Sequence, residues 1–126
     1  MAKLSQLALL VALAAFLTGC AAVTNLTPSR YLRTADGLYH FEVKLDSREQ
    51  ALRWDSVKAF VRIGTEEFPM TRVQNLKNRW EVLIPLPKET EVVHYSFRFR
   101  YEVNDFGGPA PGNLDSANYR LEIKER

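Results

Sequence analysis

The chain has 126 residues, 46% of them apolar, 11% aromatic and 25% charged. That is one domain's worth of polypeptide, with no room for a second core, and the aromatic content argues against disorder. Seventeen Lys and Arg against fifteen Asp and Glu leave a formal +2, too near balance to mark a nucleic-acid-binding or polybasic surface. A single Cys excludes an internal disulfide framework and a multi-cysteine zinc site.

The first twenty residues read as an address. One positive charge, Lys3, precedes an uncharged apolar run of eleven residues from Leu7 to Leu17. A span of the ~30 Å hydrocarbon layer needs about 20 residues, so the run has the length of a secretory signal core and not of a membrane helix. It ends in Leu17-Thr18-Gly19-Cys20, which resembles the bacterial lipobox. The resemblance implies cleavage between Gly19 and Cys20, with residues 1–19 as a lipoprotein signal peptide. It also implies a diacylglycerol on the Cys20 sulfur and further acylation of the palmitate kind. Two or three chains anchor durably, at about 0.8 kcal/mol per buried CH₂. Ala21, Ala22 and Val23 follow, with no acidic residue among them; in lipoproteins of this kind that implies the outer membrane, with the domain facing the periplasm.

Residues 20–37 are small and polar, with Pro28 and a closing Asp36-Gly37. They read as the lipidated terminus and a tether, although Tyr31 and Leu32 could pair as an edge strand. From Leu38 the apolar period is two. Tyr39, Phe41, Val43 and Leu45 alternate with polar residues, as do Val57, Ala59, Val61 and Ile63. Phe68 and Met70 flank Pro69 in a short edge strand, because proline cannot donate to a ladder. Trp80, Val82, Ile84 and Leu86 follow, then the long run Tyr95, Phe97, Phe99, Tyr101 and Val103, and last Tyr119, Leu121 and Ile123. Residues 47–55 alone have helical character, with Ser47 and Gln50 spaced as a capping box, in a segment too short for more than a turn of helix. Six or seven strands with one apolar face each predict an antiparallel β-sandwich over residues 38–126, with a small barrel as the competing architecture.

The stretch Phe68-Pro69-Met70-Thr71-Arg72, Trp80-Glu81-Val82-Leu83-Ile84-Pro85-Leu86-Pro87 and His94-Tyr95-Ser96-Phe97-Arg98-Phe99 resembles early-set immunoglobulin-like domains. These include glycogen-binding modules and the N-terminal domains of isoamylase-type enzymes. The resemblance covers about a third of the mature chain and implies an immunoglobulin-like sandwich. It does not extend to the sugar site, since Gly64-Thr65-Glu66-Glu67 stands where sugar-binding members carry an aromatic platform. Trp80 is expected in the core beside Tyr95 and Phe97.

No constellation of catalytic residues emerges. No Gly-x-Ser-x-Gly elbow is present, and His40 and His94 fall on outward positions of strands. Glu42 or Glu102 could join them, but nothing in their spacing demands a metal, and neither metal nor cofactor is expected. The segment 104–118 (NDFGGPAPGNLDSAN) reads as a long connection folded onto the sandwich rim, with Phe106 as its anchor. If that loop binds anything, Asp105, Phe106, Asn113 and Asp115 are the contact candidates. The expectation is a lipid-anchored, non-enzymatic interaction or structural module of the envelope, meeting an envelope protein or a glycan and no nucleic acid. A carbohydrate-binding module of the early-set type is the alternative.

Overall fold

The computed structural model describes residues 21–125. They form ten strands: β1 (Ala21–Asn25), β2 (Arg30–Leu32), β3 (Leu38–Ser47), β4 (Lys58–Ile63), β5 (Glu66–Pro69), β6 (Thr71–Arg72), β7 (Arg79–Pro85), β8 (Val92–Asp105), β9 (Gly108–Asp115) and β10 (Tyr119–Lys124). One sheet has the order β1-β3-β7-β6 and the other β2-β10-β8-β4-β5, with β9 also paired to β8. All pairings are antiparallel except that of β2 with β10. The two orders correspond to the ABED and GFC-plus-C′ sheets of an immunoglobulin-like sandwich. Both sheets have open edges, so the structure is no barrel.

Period-two alternation decides what is buried. Tyr39, Phe41, Val43 and Leu45 of β3, Trp80 and Ile84 of β7, Ala59 and Val61 of β4, and Tyr95, Phe97 and Phe99 of β8 are all buried between the sheets. Edge-to-face rings join the layers, Phe41 to Tyr95 at 5.0 Å between centroids and Trp80 to Phe99 at 5.5 Å. Trp80 is 2% exposed, as its inward register requires, but its ring partner is Phe99 and not Tyr95 or Phe97. The guanidinium of Arg72 lies 5.2 Å over its ring.

The expected tether is instead two strands, the second of them the alternative edge strand at Tyr31 and Leu32. β1 pairs with β3 from Ala21 opposite Ser47 to Asn25 opposite Val43, and the chain then crosses to the other sheet, where β2 runs parallel to β10. Side chains replace the ladder at the crossing. Thr27, 8% exposed, accepts the Glu42 N–H through Oγ1 at 3.0 Å and donates to the Glu42 carbonyl at 3.2 Å. Asn25 accepts the Thr27 N–H and donates to the Tyr95 hydroxyl at 2.8 Å. Its small polar composition resembles a linker because this segment buries polar atoms that find partners, not apolar ones.

The segment 47–55 does not form an α-helix. Ser47 Oγ accepts the N–H of Glu49 rather than that of Gln50, and the helical element is a single 3-10 turn at Trp54–Ser56.

The long loop expected over 104–118 is also corrected. β8 and β9 form a hairpin from Arg98 opposite Asp115 to Asp105 opposite Gly108. Pro109 and Pro111 hide this strand in the sequence. Both sit opposite residues whose polar backbone groups point away from β9: Asn104 N–H donates to Ala51, and the Glu102 carbonyl accepts from Arg53. The missing proline donors therefore face the open edge, where they are tolerated. Between β9 and β10 the register slips by one, so that residues 116–118 oppose 96–97. In this bulge the Ser116 hydroxyl accepts the Phe97 N–H at 2.8 Å.

Gly112 lies directly opposite Tyr101, and a Cβ there would come within 2.4 Å of the tyrosine ring. Gly112→Ala is expected to destabilise the domain by about 1–3 kcal/mol through displacement of that ring. Thr27→Val should cost a similar ~1–3 kcal/mol by stranding the Glu42 amide, whereas the Glu42 carbonyl keeps the Leu26 N–H at 3.0 Å. Urea denaturation of each variant measures both.

Candidate functional site

The residues singled out in the sequence divide among separate places. Cys20 lies outside the described residues. Asp105 and Phe106 occupy the tip of the β8–β9 hairpin, where Asp105 Oδ1 accepts the Phe106 N–H at 2.8 Å and Gly108 takes a φ of +113°. Phe106 is no rim anchor, for its side chain is 109% exposed and projects into solvent. Asn113 and Asp115 belong to β9, opposite Arg100 and Arg98 on the outer face of the larger sheet. The four expected contact residues therefore do not line one loop.

That outer face carries a dense arginine–carboxylate network, which alternation alone did not predict in detail. Glu67 on β5 is approached by Arg98 at 3.2 Å, Arg100 at 3.1 Å and Arg62 at 3.7 Å. Arg98 also bonds both oxygens of Asp115, at 2.7 and 3.3 Å. The Arg98 hydrogen bonds hold the Asp115 carboxyl below its ordinary 3.8, while Asp115 raises the guanidinium. Arg100 in turn lies 4.8 Å over the Phe60 ring. The cations are thus engaged by neighbouring acids and a ring rather than presented as a bare polyanion surface.

On the outer face of the other sheet, His40 Nε2 stands 3.0 Å from Glu81 and 3.9 Å from Glu42. Glu42 and Glu81 are directly opposite across β3 and β7, a like-charge pairing eased by Arg79 at 3.8 Å from Glu42. Donor atoms of His40, Glu42 and Glu81 lie within 4.8 Å of one another, close enough to hold a metal ion, with Arg79 as the competing positive charge. His94 faces outward from the opposite sheet, so the core separates the two histidines. Trp80, buried beneath Arg72, offers no open ring face for a sugar.

The end of the sandwich at which β1 begins is the most distinctive region. Ala21 lines a cavity of about 180 Å³ together with Leu45, Leu52, Tyr101, Val103 and Leu114. Leu52 bridges to Val103 at the base of the hairpin arm. The turn 73–78 closes the same end, where Leu45 N–H donates to the Asn78 carbonyl at 2.9 Å. The Lys77 ammonium lies 5.1 Å over the half-buried Trp54 ring.

No protein-family model matches the chain, and neither does any curated protein. Among solved structures, the chain is similar to murine CRIg, with 16% identity over 83% of this chain and 98% of that one, at a TM-score of 0.44. It is also similar to AggA, the major subunit of aggregative adherence fimbriae type I from Escherichia coli, with 9% identity over 82% and 94% of the two chains, at a TM-score of 0.45. At these scores neither likeness bears on what this chain binds or does.

The Asp115 carboxyl is held below 3.8, so the unfolded chain binds its proton more readily than the native one in the acid range. Its stabilising contribution is therefore full above that value and falls away as the pH drops below it. Asp115→Asn is expected to lower stability slightly at neutral pH, the pair being exposed, and to flatten the acid limb of the stability curve by that same small amount. Denaturation midpoints at acid and neutral pH check this.

Proposed function

We propose that this chain is a lipid-anchored, non-enzymatic module of a bacterial cell envelope, held at the outer membrane by acyl chains on Cys20 and facing the periplasm. The observation that carries the reading is the Leu17-Thr18-Gly19-Cys20 quartet behind an eleven-residue apolar core, set immediately before the first folded strand. Several features favour an interaction or structural role over catalysis. The histidines lie on opposite sheets, and the arginines of the larger sheet are engaged by acids and a ring. The exposed hairpin tip gives the module a place to make contacts.

Carbohydrate binding, the reading suggested by the early-set resemblance, is less well supported. The tryptophan that the resemblance aligns is in the core, and the outer sheet presents Phe60 already covered by Arg100.

The test of the anchor is Cys20→Ala. The expected result is an uncleaved precursor without lipid that moves from the detergent phase to the aqueous phase, while mass spectrometry of the wild-type mature protein finds an acylated N-terminal cysteine. A bare thiol on Cys20 in the native mature protein would overturn the reading. Affinity electrophoresis of the detergent-solubilised protein through glucan-containing gels is expected to show no retardation.

A further inference from the structure

We propose that the tip of the β8–β9 hairpin is a membrane contact: Phe106, together with Leu76 on the 73–78 turn at the same end of the sandwich, inserts into the interfacial layer of the bilayer that carries the protein's own lipid. The proposal rests on the lipid-anchored reading given above and adds to it an orientation and a second point of attachment.

The first observation is where the folded chain starts. Ala21, the residue after Cys20, is already paired with Ser47 and packed into the cavity with Leu52, Tyr101 and Leu114. A chain attached at Cys20 therefore has no tether between lipid and sheet. One residue spans at most about 3.6 Å, so the end of the sandwich that holds Ala21 must lie against the lipid headgroups.

The second observation concerns what else that end carries. Val103 lines the Ala21 cavity, and β8 continues beyond it, paired with β9, to Asp105. At about 3.3 Å per residue, Phe106 stands roughly 10 Å along the hairpin from Val103. Phe106 is 109% exposed, and the turn at this tip depends on Gly108, with its φ of +113°, rather than on the phenyl group. Nothing in the fold accounts for a phenylalanine at this position. Leu76, 40% exposed, lies on the 73–78 turn at this end, where Lys77 and Trp54 form the amphipathic pairing that suits a headgroup layer.

The third observation is charge. The segments 46–57, 73–78 and 105–107, which form this end, carry Arg48, Arg53 and Lys77 against Asp46, Glu49, Asp55 and Asp105. With no excess of cations, the contact works by apolar insertion and not by attraction to anionic lipid. The bilayer contact is therefore expected to be the same in neutral and anionic vesicles.

The test uses the full lipidated protein carrying Phe106→Trp, reconstituted in phosphatidylcholine vesicles with and without lipids brominated on the acyl chains. The difference spectrum against the wild-type protein isolates residue 106 from Trp54 and Trp80. The expected result is blue-shifted emission at position 106 that is quenched by brominated lipid, to the same extent when phosphatidylglycerol is added. Phe106→Ser should leave vesicle association and thermal stability intact while increasing the exposure of the hairpin to protease.

Unquenched, water-like emission from protein that still floats with the vesicles would overturn the insertion and leave the anchor standing. Failure of the wild-type protein to float would overturn the anchor, and the insertion with it. Association between copies in solution that Phe106→Ser abolishes, without quenching in vesicles, would assign the tip to a second copy and equally overturn the proposal.

Discussion

Ring against ring between the two sheets is the contact on which the rest of this structure depends. The chain has one cysteine, so no internal covalent bond joins the layers. What holds them is the burial of Phe41 against Tyr95 and of Trp80 against Phe99, with aliphatic residues filling the space between. Large aromatic groups in edge-to-face contact contribute through buried area and through ring geometry together. Each strand devotes alternate positions to that interior, which leaves the other positions free to meet solvent, ions or partners. The arginine network around Glu67 and the His40–Glu42–Glu81 trio are both products of this freedom.

The N-terminal segment then sets the orientation of the whole. By pairing first with β3 and then with β10, it ties the two sheets together along an edge and places Ala21 at the hairpin end. The crossing requires polar side chains, because the ladder is interrupted where the strand changes sheets. Thr27 and Asn25 supply the missing hydrogen bonds from within a nearly buried site. A segment whose task is to satisfy backbone groups looks, in composition, like one that is solvated. The expected lipid-bearing cysteine therefore adjoins a rigid strand and not a flexible spacer.

Legibility in the sequence followed the strength of the apolar alternation. Where Phe, Tyr, Val and Ile recur every second residue, as in β3, β4, β7, β8 and β10, the strands stand where the pattern puts them. β9 escaped because its inward positions are Gly108, Ala110, Gly112 and Leu114, three of them too small to register as an apolar face. Its outward prolines imitate a loop. The inward glycine is nonetheless required, since the Tyr101 ring occupies the space a side chain would take. The same blindness affected the candidate site: Asp105, Phe106, Asn113 and Asp115 are neighbours in sequence, yet the hairpin sends the first two to its tip and the last two to the outer sheet.

Local chemistry thus determined the all-β class and which face of each long strand is buried, because those properties depend on a residue and its near neighbours in the chain. The tertiary structure decided that Trp80 meets Phe99, that three arginines share Glu67, and that the folded chain begins beside the hairpin bearing Phe106. Those facts depend on register and sheet order, which bring residues together across dozens of positions of sequence. No periodicity within a single strand records which other strand will lie against it.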